Sequence, residues 1–449
     1  MKLYNTLTRQ LDEVVPLNPP TVAVYTCGPT VYDYLHIGNW FNYVRMDTLI
    51  RALKISGLEP NWVMNITDVG HLVSDADDGE DKLEKGARRE GKTAWEVAEF
   101  YTADFLKCMD LLNITMPTQI TKATEHIEEQ IALIKTLEEK GYTYVIDDGV
   151  YYDTSKFEGY ASFARLDLDE QQAGARVSFN DQKRTISDFA LWKFSPAGQQ
   201  RDMEWDSPWG KGFPGWHIEC SAMSMKYLGS TLDIHTGGID HIPIHHTNEI
   251  AQSEAATGQR FANLWLHSNH VTVNGEKISK SLGNGIRLQQ IMEKGFSVDT
   301  VRLNVLESHY RSQSKFSWES LEAAQNRLRD LEAWADLRWQ SDADNGDSLR
   351  QDITAALLHD LNTPEALAIL SQATVTAPSA DTLAFLDEVF GLHLSTRSDI
   401  TDAQKQLIAQ RQAARNSQDW AASDTTRGQL AEQGIAVRDT PQGPIWSRI

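Results

Sequence analysis

The sequence predicts an α/β fold: a parallel-sheet domain split by an inserted α/β connective segment, then a helical bundle and a small C-terminal α+β domain. Three observations carry this expectation. Residues 21–67 read as strand, turn, helix, strand, the βαβ opening of a parallel sheet. Two short motifs, His36-Ile37-Gly38-Asn39 and Lys277-Ile278-Ser279-Lys280-Ser281, stand about 240 residues apart with other α/β sequence between them. From about 315 onward the apolar spacing turns helical, with Leu321, Leu328, Leu331, Trp334 and Leu337 three or more positions apart.

The first strand, Thr21 to Cys27, is rich in β-branched and aromatic residues. Gly28-Pro29-Thr30 is a turn, a helical pattern runs from about Leu35 to Leu53, and Asn61–Thr67 is the second strand. The charged run from Asp75 to Glu90 reads as a solvated loop entering a helix. It is not an EF-hand, because positions six and twelve counted from Asp75 hold Glu80 and Gly86. An amphipathic helix near 123–140 and short strands at Tyr142–Ile146 and Val150–Tyr152 fall in the inserted segment. His270–Glu276 is a strand entering an Asn-Gly hairpin, which puts Lys277–Ser281 on a loop. Residues 403–433 form two polar helices, and a hairpin runs from Gly434 to Trp446. The expected domains are 1–115 and 211–314 for the two halves of the parallel-sheet domain and 116–210 for the insertion. The helical bundle takes 315–397 and the C-terminal domain 398–449.

The composition is that of a soluble globular chain, with 41% hydrophobic and 23% charged residues. No apolar run approaches the ~20 residues that span a bilayer. Met1 opens into mixed polar sequence, so a cytoplasmic protein with no membrane partner is expected. Three scattered cysteines make no disulfide framework. A net charge of −21 argues against non-specific nucleic-acid binding. From Thr401 onward, however, six basic residues face five acidic ones, so this tail is near +1 and the rest near −22. Such a tail permits a nucleic-acid contact.

His36 and Asn39 sit where a turn gives way to a helix, whose free N–H groups favour anionic phosphate. Gly38 leaves room there for an adenine ring. Lys277 and Lys280 lie on a cationic loop suited to neutralising charge on an α-phosphorus. Either motif alone also reads as an ordinary helix start or basic turn. Together, and in this order, they point to attack on the α-phosphate of ATP to form an adenylate.

Four histidines fall within twelve residues: His235, His241, His245 and His246. His235 reads as a hydrogen-bonded core residue. His245 and Glu249 are four apart, on one face of a helix, which suits two ligands of one metal. Cys27 ends a strand and Cys220 lies just upstream of the histidines, but spacing alone does not bring the two cysteines together.

The chain closely resembles the cysteinyl-tRNA synthetases, a class I aminoacyl-tRNA synthetase family. The resemblance rests on Thr26-Cys27-Gly28-Pro29-Thr30, His36–Asn39, Asn65-Ile66-Thr67-Asp68, Pro214-Gly215-Trp216-His217-Ile218-Glu219-Cys220, His245–Ser253, Lys277–Asn284, and the tail from Asp419 to Trp446. It implies a Rossmann-type catalytic domain and one Zn²⁺ held by Cys27, Cys220, His245 and Glu249. It places L-cysteine against Cys27, Gly28, Thr67 and Trp216. ATP, with Mg²⁺, is placed against His36, Gly38, Asn39, Gly237, Asp240, Lys277 and Lys280. Of these, His36, Asn39, Lys277 and Lys280 carry the catalytic role. The implied partner is tRNA(Cys), the implied state a monomer, and no editing domain is expected. In this chain Asn39 replaces the last His of the HIGH motif, Ile278 replaces the Met of KMSKS, and Val69–Asp81 is longer than the common Ile-Asp-Asp-Lys form. The alternative is a cysteine ligase of the mycothiol-biosynthesis type acting on an amino sugar, to which a tRNA-reading tail would be superfluous.

Overall fold

The architecture is that of a computed structural model covering residues 1–449. It describes all of them except 71–80, 166–180, 197, 199–200, 280–281, 345, 375 and 442. The chain divides into two compact units: one of Met1–Lys294, His309–Phe316 and Leu358–Leu361, the other of the remainder.

In the first unit, a hairpin of β1 (Lys2–Asn5) and β2 (Gln10–Glu13) precedes β3 (Thr21–Thr26). Helix α1 (Ile37–Ile55) leads to β4 (Glu59–Ile66), and α2 (Lys82–Glu90) and α3 (Ala94–Leu111) lead to β5 (Gln119–Lys122). After α4 (Ile127–Glu139) come β6 (Thr143–Ile146), β7 (Gly149–Tyr152), β8 (Phe189–Phe194) and β9 (Gly212–Pro214). Next are α5 (Trp216–Leu228), β10 (Leu232–Gly238), α6 (Thr247–Thr257) and β11 (Ala262–Ser268). The unit closes with β12 (Val271–Val273), β13 (Glu276–Lys277), α7 (Leu288–Glu293) and β14 (Ser314–Phe316).

The central sheet is parallel throughout, in the order β11-β10-β3-β4-β5. The run from β3 to β4 moves one way and the run from β10 to β11 the other. The crevice between the carboxyl ends of β3 and β10 is therefore a topological switch point, where open α/β sheets bind ligands. The carboxyl half of β3 is buried on both faces, as a covered parallel sheet requires.

β5, within the 116–210 stretch, pairs with β4 in the parallel sheet. The antiparallel sheet β6-β7-β8-β9 reaches past that stretch to take Gly212–Pro214. Helix α1 starts two residues later than the apolar pattern indicates, because His36 is extended (φ −103°, ψ 171°) and its backbone bridges to Arg287. Asn274 and Gly275, at φ 52° and 86°, turn the β12–β13 hairpin, the left-handed pair that an Asn-Gly loop supplies.

The second unit holds α8 (Val298–Leu306), α9 (Trp318–Asp336), α10 (Asp347–Leu358, but for Leu358), α11 (Thr363–Ala373) and α12 (Ala380–Phe390). It ends in α13 (Asp402–Asn416), α14 (Trp420–Glu432) and an antiparallel hairpin of β15 (Ile435–Thr440) and β16 (Gly443–Arg448). Ile400, Leu430, Ile435, Val437 and Trp446 form the small core of that end. Among the described residues no helix is long and apolar enough to cross a membrane.

Gly215 starts α5 because a Cβ there would lie 2.0 Å from the carbonyl oxygen of Ala190 in β8. This close approach couples the antiparallel sheet to the helix that carries Trp216 and Cys220. Gly215→Ala is expected to destabilise the fold by about 3 kcal/mol, the upper end of overpacking costs, read by urea unfolding.

Candidate metal centre and nucleotide-side loops

Cys27 follows β3, and its N–H donates to the carbonyl of Thr236 in β10 at 3.3 Å. Cys220 lies in the second turn of α5. His245 belongs to a wide π-type turn, 242–246, that runs straight into α6 and carries Glu249 with it. All four side chains are buried, and their ligand atoms lie within 4.8 Å of one another. Residues spread over more than 220 positions thus meet at the switch point. A second set, Cys27, His235, His246 and Glu249, meets the same distance criterion and shares two members with the first.

Glu249 is the hinge of both sets. Its Oε1 lies 2.8 Å from His245 Nε2 and its Oε2 lies 2.6 Å from His235 Nε2. Burial would raise this carboxyl, but the two imidazoles outweigh it and hold Glu249 well below the ordinary carboxylate range. The thiols go the other way. Burial pushes Cys27 up to about 11, against a hydrogen bond with Cys220 that favours its thiolate. Cys220 is raised well above a free thiol by its hydrogen bond to Cys27, by burial and by the Cys27 and Glu249 charges. Two thiols that resist ionising beside an anion are what a dication would reverse, since a coordinated thiol ionises readily. The donor set of two sulfurs, an imidazole and a carboxylate fits Zn²⁺.

Outer partners orient these donors. His217 Nδ1 lies 2.9 Å from His245 Nδ1, which leaves the His245 Nε2 edge facing Glu249. His246 Nε2 lies 3.4 Å from Cys27 Sγ, its Nδ1 lies 2.7 Å from His267 Nε2, and His267 Nδ1 lies 2.7 Å from Thr6 Oγ1. Burial lowers both His246 and His267 well below an ordinary imidazole, so this chain is neutral. His235, read as a core residue, is buried and hydrogen-bonded, but its partner is Glu249. His217 and His267 were missed. A histidine next to Trp216 was a faint signal for the first, and a lone histidine in a strand was none for the second.

Gly28, Thr67 and Trp216 border this cluster. A Cβ on Gly28 would fall 1.6 Å from the Asn65 carbonyl oxygen, so only glycine lets β3 and β4 close here. Thr67 is buried; its hydroxyl donates to Glu219 at 3.2 Å and accepts from Asn65 Nδ2 at 3.1 Å. The Trp216 ring lies 4.6 Å from the His245 ring.

Elsewhere in this unit, the two motifs come together. Ile37 N–H donates to Ile286 at 2.7 Å, and His36 N–H donates to Asn39 Oδ1 at 3.1 Å, which leaves the amide N–H groups of Asn39 for other acceptors. A Cβ on Gly38 would meet Ile278 Cδ1 at 2.9 Å, so the space over Gly38 is filled by the apolar residue of the second motif. Asn284 clamps that loop by accepting from Ser279 N–H at 2.9 Å and donating to the Lys277 carbonyl at 3.1 Å. Lys277 is exposed, and Lys280 and Ser281 lie outside the described residues. Gly237 packs against His241 and His246, where a Cβ would come within 2.7 Å of each ring, and Asp240 sits in the short turn Ile239–His241.

The family described as "tRNA synthetases class I (C) catalytic domain" matches residues 13–326, and "Cysteinyl-tRNA ligase anticodon binding domain" matches 397–446. The chain belongs to the cysteine–tRNA ligase family. Relatives bearing that name include one of Burkholderia lata, 48% identical over 99% of this chain and 96% of its own length. Another, of Treponema denticola, is 41% identical over the whole of both chains. In fold, the chain is similar to a Mycobacterium tuberculosis methionyl-tRNA synthetase in complex with methionyl-adenylate. The TM-score is 0.58 at 14% identity, covering 84% of this chain and 88% of that one.

Beside Thr67, Asp68 accepts from Thr124 N–H at 2.9 Å and from its hydroxyl at 2.6 Å. Burial, opposed by these hydrogen bonds and aided by Glu219, pushes its carboxyl up to about 6. A carboxyl raised on folding costs stability once pH exceeds its unfolded value near 4, and the cost is complete above about 6. Asp68→Asn is therefore expected to gain roughly 2 kcal/mol on the wild type between pH 4 and pH 7 in urea unfolding, with little difference at the acid end.

Proposed function

We propose that the protein activates L-cysteine with ATP and transfers the cysteinyl group to tRNA(Cys). The carrying observation is the buried cluster of Cys27, Cys220, His245 and Glu249 beside Trp216, in a chain similar over its full length to cysteine–tRNA ligases. Of the two donor sets, the one with both cysteines suits Zn²⁺ better, since thiolates are the softer ligands. His235 and His246 then act as outer partners of Glu249 and Cys27. Bound there, Zn²⁺ would hold the thiolate of the amino acid.

The chain's own residues supply the rest. Thr67 and Trp216 wall the amino-acid side, and Gly28 permits the close strand approach beneath it. A cysteine carboxylate oxygen attacks the α-phosphorus of ATP, the bond to the bridging oxygen breaks, and pyrophosphate leaves with its electron pair. His36, Asn39, Lys277 and Lys280 would balance the charge that spreads over the phosphoryl oxygens, without acid–base chemistry. A tRNA 3′-terminal hydroxyl then attacks the carbonyl carbon, releasing AMP and a proton. Serine lacks the soft donor, and a site built on a bond its competitor cannot make discriminates by ~10⁴–10⁵ without editing.

The amino-sugar alternative has no use for the region 397–446, whose similarity is to an anticodon-binding domain. In that region Trp420 is 56% exposed at the start of α14, with the Arg415 guanidinium 5.5 Å from its ring centre. An exposed indole beside a cation is a platform for an unpaired base.

Cysteine-dependent ATP–pyrophosphate exchange should be robust, serine-dependent exchange should be absent, and a zinc chelator should abolish the former. Cys27→Ser should reproduce the chelator's effect; exchange that survives both treatments contradicts the metal assignment. Trp420→Ala should raise the KM for tRNA(Cys) roughly tenfold in charging, through the ~1–3 kcal/mol of one base stack, and leave exchange unchanged.

A further inference from the structure

We infer that Tyr25 is the outer partner of Cys220, its phenol donating a hydrogen bond to the sulfur once a metal ion holds it as a thiolate. The inference rests on the proposed zinc site and adds a positioning residue to it. Three of the four ligands already have a partner behind them. His246 lies against Cys27, His217 against His245 and His235 against Glu249. Cys220 is the fourth, and outside the ligand set its sulfur bears on the phenol of Tyr25.

Strand geometry puts the phenol there. Tyr25 stands two residues before Cys27 at the end of β3, and side chains two apart leave a strand on the same face. Cys220 reaches that face from α5, and the three residues share one core cluster with Val63, Phe261 and Trp265. In register Tyr25 lies between Val63 of β4 and His235 of β10. Its ring meets the His235 ring edge-on, with centres 5.3 Å apart. Tyr25 is fully buried, and among the described residues its hydroxyl has no hydrogen-bond partner. A hydroxyl taken out of water without an acceptor loses its hydration and gains nothing, so buried tyrosines ordinarily find one. A phenylalanine would fill the same space without that loss. The hydroxyl is accounted for by an acceptor that comes with the metal. Coordination takes the proton from a thiol and leaves an anionic sulfur with lone pairs to spare, a far better acceptor than the thiol itself. Burial first, then the charges of Cys220, Cys27 and Glu249, raise the phenol well above the usual tyrosine range, so it meets that sulfur as a donor. With its ring packed inside the sheet, the donor is in place before the ion arrives, and it draws charge from the sulfur.

Tyr25→Phe removes the hydroxyl and keeps the ring, and the test reads the metal itself. In the full-length, zinc-loaded protein, the zinc dissociation constant measured by competition with a chromogenic chelator should rise about 10–100-fold. With Co²⁺ in place of zinc, the thiolate-to-metal charge-transfer band should move to longer wavelength at unchanged intensity. Both sulfurs then remain bound, and one of them has lost a donor. A zinc constant within about threefold of the wild type, or a band that does not move, would overturn the inference. So would a loss of band intensity, which reports a lost sulfur ligand and a merely structural role for the tyrosine. Failure of the wild type to bind either ion would instead overturn it by removing the metal reading on which it rests.

Discussion

One buried carboxylate organises the first unit. Glu249 is fully buried, yet both its oxygens are held by imidazoles, His245 on one side and His235 on the other. An anion in that position is tolerable only with such partners, since an unpaired buried charge would cost several kcal/mol. Around it meet His235 from the central sheet, His245 from the π-type turn, Cys27 just past strand β3 and Cys220 of helix α5. Burial keeps the imidazoles of His246 and His267, behind this cluster, neutral. The ordinary preference of buried thiols for protonation is left for a cation to overturn.

The place of this cluster follows from sheet topology. With β3 central and β10 beside it, the two chain directions part at the crevice where Cys27 ends its strand. Helix α1 starts from the same strand by way of the turn at Gly28–His36, so the Cys/His/Glu cluster and the helix start lie on either side of one short connection. Backbone contacts of His36 and Ile37 with Arg287 and Ile286 tie the second motif's loop to that helix start. Sequence separation of some 240 residues is erased by two hydrogen-bonded bridges.

Glycines mark the points where this closeness is needed. At positions 28 and 215 a side chain would run into neighbouring backbone, at 38 into Ile278 and His36 of the two motifs, and at 237 into the rings of His241 and His246. The second unit uses different means. There Asp336, buried at the end of α9, gathers Arg397 and Arg448, and so links a helix of the bundle to the C-terminal hairpin.

Local pattern was enough for much of the fold. Local residue pattern gave β3, β4 and the polar helices of the tail, and an Asn-Gly pair gave the β12–β13 hairpin, because such elements are dictated by neighbours in the chain. The motif residues at 36–39 and 277–281, and the His245–Glu249 pair, could be singled out for the same reason. Other features depended on contacts the sequence cannot order. The strand Gln119–Lys122 pairs in the parallel sheet because β4 offers it an edge, and the helix start moved to Ile37 because Arg287 holds His36 extended. The role of His235, the placing of His217 and His267 behind the cluster, and the filling of the space over Gly38 by Ile278 are of this kind. By itself the sequence determined which chemical groups are present and on which local elements. The convergence of Cys27 with Cys220 was decided only by tertiary structure, since burial and charge pairing act between residues that only the folded sheet brings together.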